Sequence, residues 1–179
     1  MLQEFKIHTP GLREGRVPII FLDVDGVLNS HQWWESEARK GDERQAGLDR
    51  HIDPQAVLQL QRICTLTGAH VVISSTWRFG HLELLLKMLT RYGFTSPVIG
   101  ITDRGCSNCV RGNEIYRWLQ DNVENYLDFK SYVIIDDDGD MLLSQKDNFV
   151  QTASETGGLT SEKADAAITI LNTSVPLKT

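Results

Sequence analysis

No stretch of this chain approaches the roughly 20 consecutive apolar residues that a bilayer-spanning helix needs. Its opening, Met1-Leu2-Gln3-Glu4-Phe5-Lys6-Ile7-His8, lacks the basic-then-apolar order of a secretory signal. A membrane protein is therefore not expected, and a cytoplasmic location is. Cysteine is scarce: Cys64, Cys106 and Cys109 make an odd count of 3, which in a reducing compartment reads as free thiols. Cys106 and Cys109 have CxxC spacing, but no second pair or HxxxH partner completes the four ligands of a structural zinc site. Cationic excess is missing as well. The 18 Lys and Arg face 24 Asp and Glu, a formal net charge of −6. That excludes a non-specific electrostatic grip on a nucleic acid backbone, although a local basic pocket remains compatible with it. There is no GxxxxGK[ST] loop, so no kinase half is part of this chain, and no repeat or low-complexity tract.

What is present suits an ordinary globular domain. The 179 residues are 41% hydrophobic and 23% charged, enough to pack a core around one sheet. Residues 1–17 are polar with Pro10 and Gly11 and read as an irregular lead-in. Residues 18–179 read as a single domain. Its strands are expected at 18–24, 70–75, 97–102 and 132–135, with a short fifth at 148–152. Between them, Asp53-Pro54 opens a helix with Asp53 as N-cap and Pro54 in the first turn, burying Val57, Leu58, Leu60, Ile63 and Cys64 and ending at Gly68. Further helices are expected over 81–91, 114–123 and 160–171, with Ile115, Trp118 and Leu119 on one face of the third and Ala164, Ala167, Ile168 and Leu171 inward on the last. The segment 103–111 reads as a loop, and 30–52 as a long polar excursion over the sheet edge. Alternating strands and helices imply parallel β-α-β units, hence an α/β fold of three layers: a Rossmann-like parallel sheet covered on both faces.

Chemistry gathers at three strand ends. The run Ile19-Ile20-Phe21-Leu22-Asp23-Val24-Asp25-Gly26 carries two carboxylates out of an apolar strand into a glycine turn. Ligands of open α/β sheets bind at that edge. Two neighbouring acids repel one another, and a divalent cation holds both ionised; Mg²⁺ suits an all-oxygen ligand set. The second strand ends in Ser74-Ser75-Thr76-Trp77-Arg78, and the fourth runs into Asp136-Asp137-Asp138. In a parallel sheet these ends lie side by side. Together they supply what a phosphoryl group requires: carboxylates for the cation, hydroxyls for its oxygens, and positive charge for the transition state.

In these motifs the sequence resembles the haloacid dehalogenase (HAD) superfamily of phosphatases, over about residues 18–171 and in the family's motif order. The resemblance implies a nucleophile at Asp23 and a general acid/base at Asp25. It implies a phosphoryl-binding hydroxyl at Ser74 or Ser75, and Mg²⁺ held by Asp23, the backbone carbonyl of Asp25, Asp136 and Asp137, the last directly or through water. The family's usual lysine is absent, since none stands between Lys87 and Lys130. Arg111, in Arg111-Gly-Asn-Glu-Ile, stands in its place and brings a bidentate fork. The strings Ser-Ser-Thr-Trp-Arg, Arg-Gly-Asn-Glu-Ile and Gly-Gly-Leu-Thr are similar to the HAD domain of Swiss-army-knife RNA repair proteins.

The implied activity is a Mg²⁺-dependent phosphomonoesterase with an aspartyl-phosphate intermediate, built with a minimal cap. Thr76 and Arg78 are candidates for substrate contact. Trp33 and Trp34 are candidates either to stack on a base or to pack the excursion onto the body. Arg39 and Arg44 are candidates for backbone contacts to a nucleic acid, while His31 and His51 carry no signal. A nucleotide, a polynucleotide end and a small metabolite phosphate all fit as substrates. Two alternatives stay open: a receiver-like phosphoacceptor, which would ordinarily carry a lysine where this chain has Phe149-Val-Gln-Thr, and a catalytically weak HAD-shaped binding module.

Overall fold

The computed structural model describes residues 17–41, 51–104, 109–122 and 131–173. Five strands form one parallel sheet: β1 (Ile19–Leu22), β2 (His70–Ile73), β3 (Val98–Ile101), β4 (Tyr132–Asp136) and β5 (Phe149–Gln151), in the order β3-β2-β1-β4-β5. All four pairings are parallel, with Leu22 level with Ile73 on one side and Ile135 on the other. Strand β1 is central and covered on both faces, which is why it reads as an unbroken apolar run rather than an alternation. The order is that of the dinucleotide-binding Rossmann sheet, whereas receiver domains follow 2-1-3-4-5.

Six α-helices are described: α1 (His31–Glu35), α2 (Glu37–Gly41), α3 (Pro54–Thr67), α4 (Leu82–Arg91), α5 (Arg111–Asn122) and α6 (Ser161–Asn172). Side chains alternate across the sheet and so divide the core in two. Ile20, Leu22, Val71, Ile73, Val133 and Ile135 pack on α3, α4 and α6. Ile19, Phe21, Val72 and Ile134 pack on Ile115 and Trp118 of α5. The ring of Phe21 meets Trp118 edge-on at 5.3 Å and Tyr132 at 6.0 Å. Burying each such side chain is worth about 1.5–3 kcal/mol, so the strand that leads into Asp23 is firmly anchored.

Helix α3 starts and stops as its sequence dictates. Asp53 accepts from Gln55 N at 2.8 Å, Pro54 sits in the first turn, and Gly68 caps the end in the left-handed region at φ +73°. Its inner face is Ala56, Val57, Leu60, Ile63 and Cys64, and Leu58 is 49% exposed rather than buried. Two residues before Leu60, Leu58 falls on the opposite side of the helix, where Ala56 does not. In α6, Ala164, Ala167 and Leu171 are buried and Ile168 packs at the core's margin.

Helix α5 begins at Arg111, three residues before the expected Glu114. The cap is non-local: Asp140, beyond β4, accepts the Arg111 N–H on Oδ2 at 2.9 Å and the Gly112 N–H on its carbonyl at 3.4 Å. Its expected end at Val123 lies outside the described residues, as do most of the lead-in 1–17 and Arg44. The excursion is not wholly irregular. Ser30 caps α1 by accepting from Trp33 N at 3.1 Å, and Ser36 passes the chain into α2. Cys64 is free and buried. Cys109 is disulfide-bonded, which corrects the expectation of a free thiol there; Cys106 lies outside the described residues. Among the described residues no helix is long and apolar enough to cross a membrane.

Candidate active site

Asp23 follows β1 directly, and its N–H bonds Ile135 O at 3.0 Å, so the backbone is still held by the sheet where the carboxyl begins. The residue is 6% exposed. Burial raises its pKa, against the lowering effects of the Ser75 hydroxyl bonded to it and the Arg111 guanidinium nearby. Asp136, the last residue of β4, is 1% exposed. Its carboxyl is pushed up to about 7 by burial and then by the charge of Asp23. Asp137 is raised too, chiefly by burial.

Carboxylate oxygens of Asp23, Asp136 and Asp137 lie within 4.8 Å of one another. Asp136 Oδ1 accepts from Asp138 N at 3.0 Å, while Oδ2 is buried without a hydrogen-bond partner. An orphaned oxygen in an all-oxygen acidic cluster is the donor set of a hard divalent cation. These three residues fit such an ion and could hold it. The carboxylate of Asp25 is outside this cluster. Gly26 makes the cluster possible: it turns at φ +71°, and a Cβ there would collide with the Asp137 carboxyl.

The two serines at the end of β2 separate by alternation. Ser75 bonds Asp23 and caps the 3₁₀ turn Thr76–Arg78, accepting from Trp77 N at 3.3 Å. Ser74 is fully buried, and its Oγ has no hydrogen-bond partner among the described residues. Ser75 is thus the hydroxyl that faces the acids.

Arg111, from the first turn of α5, places its guanidinium 3.6 Å from Asp136 Oδ2, 4.0 Å from Asp23 Oδ1 and 3.5 Å from Glu114 Oε2. Arg78 lines the neighbouring cavity, but its guanidinium is already engaged by the protein. It is 6% exposed and donates to the Ser74 and Ser75 carbonyls at 2.8 and 2.6 Å and to Glu114 at 2.7 Å. It ties the end of β2 to α5. Thr76 is exposed and, with Arg78, Phe79, Arg104, Arg111 and Glu114, lines a cavity of about 590 Å³.

Asp25 is exposed. Its Oδ1 accepts from Asn29 Nδ2 at 2.7 Å, and both carboxylate oxygens lie 3.0 Å from Trp77 Nε1. Neither excursion tryptophan bonds Asp25, but Trp34 reaches Trp77 through His51, whose ring lies 6.3 Å from the Trp77 ring. Trp33 is 9% exposed, and Trp34 is half-buried under the Arg39 guanidinium, 3.9 Å above its ring, with His51 edge-on at 4.7 Å. Arg39 also donates to Trp34 O at 3.2 Å. In this arrangement both face the protein.

Glu114, Asn29, Trp77, Asp140 and Gln145 were not among the expected site residues. Glu114 was within reach, one helical turn after Arg111. Gln145 was not. It donates to Gly112 O at 2.9 Å and accepts from Leu142 N at 2.9 Å, pinning α5 to the loop after β4 across a long sequence separation.

A parallel sheet of this order, with buried acids at the ends of its central strands and a hydroxyl and an arginine converging on them, is the arrangement of the HAD class of hydrolases. Residues 19–164 match the family described as the HAD domain in Swiss Army Knife RNA repair proteins, and the chain belongs to that family. No curated protein and no solved structure matches it.

Proposed function

We propose that the chain is a Mg²⁺-dependent phosphomonoesterase that works in the cytoplasm, through an aspartyl-phosphate on Asp23, on a nucleotide or a nucleic acid end. One set of contacts carries the reading: the Asp23 carboxyl bonds the Ser75 hydroxyl, lies 4.0 Å from Arg111, and shares a cluster with Asp136 and Asp137. In the first half-reaction an Asp23 oxygen bonds to phosphorus while the bond from phosphorus to the leaving oxygen breaks. Asp25 gives its proton to that oxygen. In the second, Asp25 takes a proton from water as the water oxygen bonds to phosphorus and the aspartyl bond breaks, releasing inorganic phosphate. Ser75 and Arg111 hold the phosphoryl oxygens in place. Asp23, the Asp25 carbonyl and Asp136, with Asp137 direct or through water, would hold Mg²⁺, which when bound would supply Lewis-acid neutralisation of those oxygens.

The described part of the excursion is two short helices, α1 and α2, in keeping with a minimal cap. The sheet order argues against a receiver domain. So does the end of β5, where Thr152 donates to Gly26 O at 3.0 Å and no lysine stands. The deciding experiment is a Mg²⁺-dependent phosphate-release screen over nucleotides, 3′- and 5′-phosphorylated oligonucleotides and sugar phosphates. Nucleotides or oligonucleotide ends should rank first. Preference for a sugar phosphate replaces the substrate class, and stable beryllium fluoride trapping without turnover restores the phosphoacceptor alternative. No trapping and no turnover leaves a binding module.

A further inference from the structure

Asp25 has a task that its position alone does not secure. A general acid must stand within about 2.6–3.2 Å of the atom it protonates, and an error of 1 Å can cost on the order of 100-fold in rate. Yet this carboxylate is exposed, beyond the last residue of β1. Its backbone is fixed by Asn29, whose carbonyl accepts from Gly26 N at 2.8 Å. The Asn29 side chain, 6% exposed, accepts from the same N–H at 3.0 Å and donates to Asp25 Oδ1 at 2.7 Å. That contact leaves the carboxylate free to turn about its own axis. The remaining constraint comes from Trp77, whose Nε1 lies 3.0 Å from both oxygens.

We infer that Trp77 is a positioning residue for the acid/base, aiming the Asp25 carboxyl at the leaving oxygen. This inference rests on the phosphatase reading. An indole N–H only donates, so it cannot compete for the proton that Asp25 transfers. Equidistant from both oxygens, it can keep hold of one while the other turns to the substrate. The indole is itself held. It packs against the core, with His51 and His81 at 6.3 and 5.8 Å, and its backbone N–H bonds Ser75 Oγ. Ser75 in turn bonds Asp23. One short turn after β2 therefore touches both carboxyls, the nucleophile through Ser75 and the acid/base through Trp77.

The test is Trp77→Phe, which keeps a ring and removes the donor, assayed with Mg²⁺ on two esters. Glycerol phosphate has a leaving group that needs a proton; 2,4-dinitrophenyl phosphate has one that does not. The readout is kcat/KM, which in a two-step reaction reports only formation of the aspartyl-phosphate. The loss on glycerol phosphate should exceed the loss on the dinitrophenyl ester by about tenfold or more. Equal losses on both esters make Trp77 a packing residue and overturn the inference. The contact is read separately from the Trp77 indole N–H resonance, which should move in Asp25→Ala; an unmoved resonance also overturns it. A wild type that releases no phosphate from either ester or from any nucleotide or oligonucleotide of the screen overturns the phosphatase reading and this role with it, an outcome distinct from equal losses in an active enzyme.

Discussion

Asp23 and Asp25 stand two residues apart at the end of one strand and occupy opposite environments. Asp23 is buried, raised in pKa by that burial, and faces Ser75, Arg111 and Asp136. Asp25 is exposed and faces an indole and an amide. Residues at i and i+2 share a face only while the strand lasts. Here the strand stops at Leu22, and the turn through Gly26 carries Asp25 outward. The division of labour between nucleophile and acid/base thus follows from where the backbone leaves the sheet. A buried acid can meet a cation and a phosphorus centre in a water-poor site. An exposed one can meet a leaving group and then a water molecule.

Asp23→Asn should break the comparison most severely. It removes the nucleophile, so turnover of both a good and a poor leaving group should fall by about 1,000-fold or more. Asp25→Asn should lose comparably on glycerol phosphate and far less on 2,4-dinitrophenyl phosphate when kcat/KM is compared. Equal losses in the two variants would erase the distinction between the acids.

A pH series with and without metal probes the buried side alone. Asp136 is raised to about 7 in the folded protein, against about 3.9 in an unfolded chain. Between these values the folded state holds a proton that the unfolded state has lost, so stability falls as pH rises. In EDTA the melting temperature should therefore drop from about pH 4 to about pH 7 and level off above. Mg²⁺ replaces that proton, so its stabilisation should be larger at pH 8 than at pH 5. A metal-free stability that rises across this window would remove the buried acidic pair as its source.

Much of this was legible in the sequence because it is local. Asp53, Pro54 and Gly68 mark α3 by their own backbone chemistry, and the apolar runs place the strands. The acids and the hydroxyls are legible because strand ends are edges where sheets bind ligands, whereas Arg111, in the first turn of α5, is reached only through the family resemblance. The start of α5 was not, since its cap is Asp140, 29 positions away. Arg78 looked like a free cation, and only the fold brings Glu114 and two carbonyls to it. Leu58 looked inward because an apolar residue beside Val57 extends the hydrophobic run, whereas helical phase sends it outward. Trp77 stands at the end of the second strand with nothing in the sequence to give it a role; its bonding to Asp25 spans two strand ends and has no signature in spacing.

Glu114 links the two arginines, and Glu114→Gln tests whether that link sets the buried side. It keeps the shape while weakening charge-assisted bonds to Arg78 at 2.7 Å and Arg111 at 3.5 Å. Both arginines are largely buried, so the variant should lose about 2–3 kcal/mol of stability, read by urea unfolding. Turnover should fall about tenfold on both esters alike, since Arg111 serves the phosphoryl group and not the leaving group. A loss confined to the poor leaving group would move Glu114 to the acid/base side.

The smallest effect is expected at Trp34, at the outer margin of the exposed side. Its ring is covered by Arg39 at 3.9 Å and met edge-on by His51. A cation over an indole at a partly exposed position is worth about 0.5–1 kcal/mol. Trp34→Ala should cost about that much stability and leave the oligonucleotide KM within about twofold, because a ring already covered has no face to offer a base. Stacking on a base is worth about 1–3 kcal/mol, which would raise KM by roughly five-fold or more. A rise of that size, with kcat unchanged and the small esters unaffected, would mean that Arg39 swings away to admit a base. The exposed side would then hold substrate as well as aim a proton.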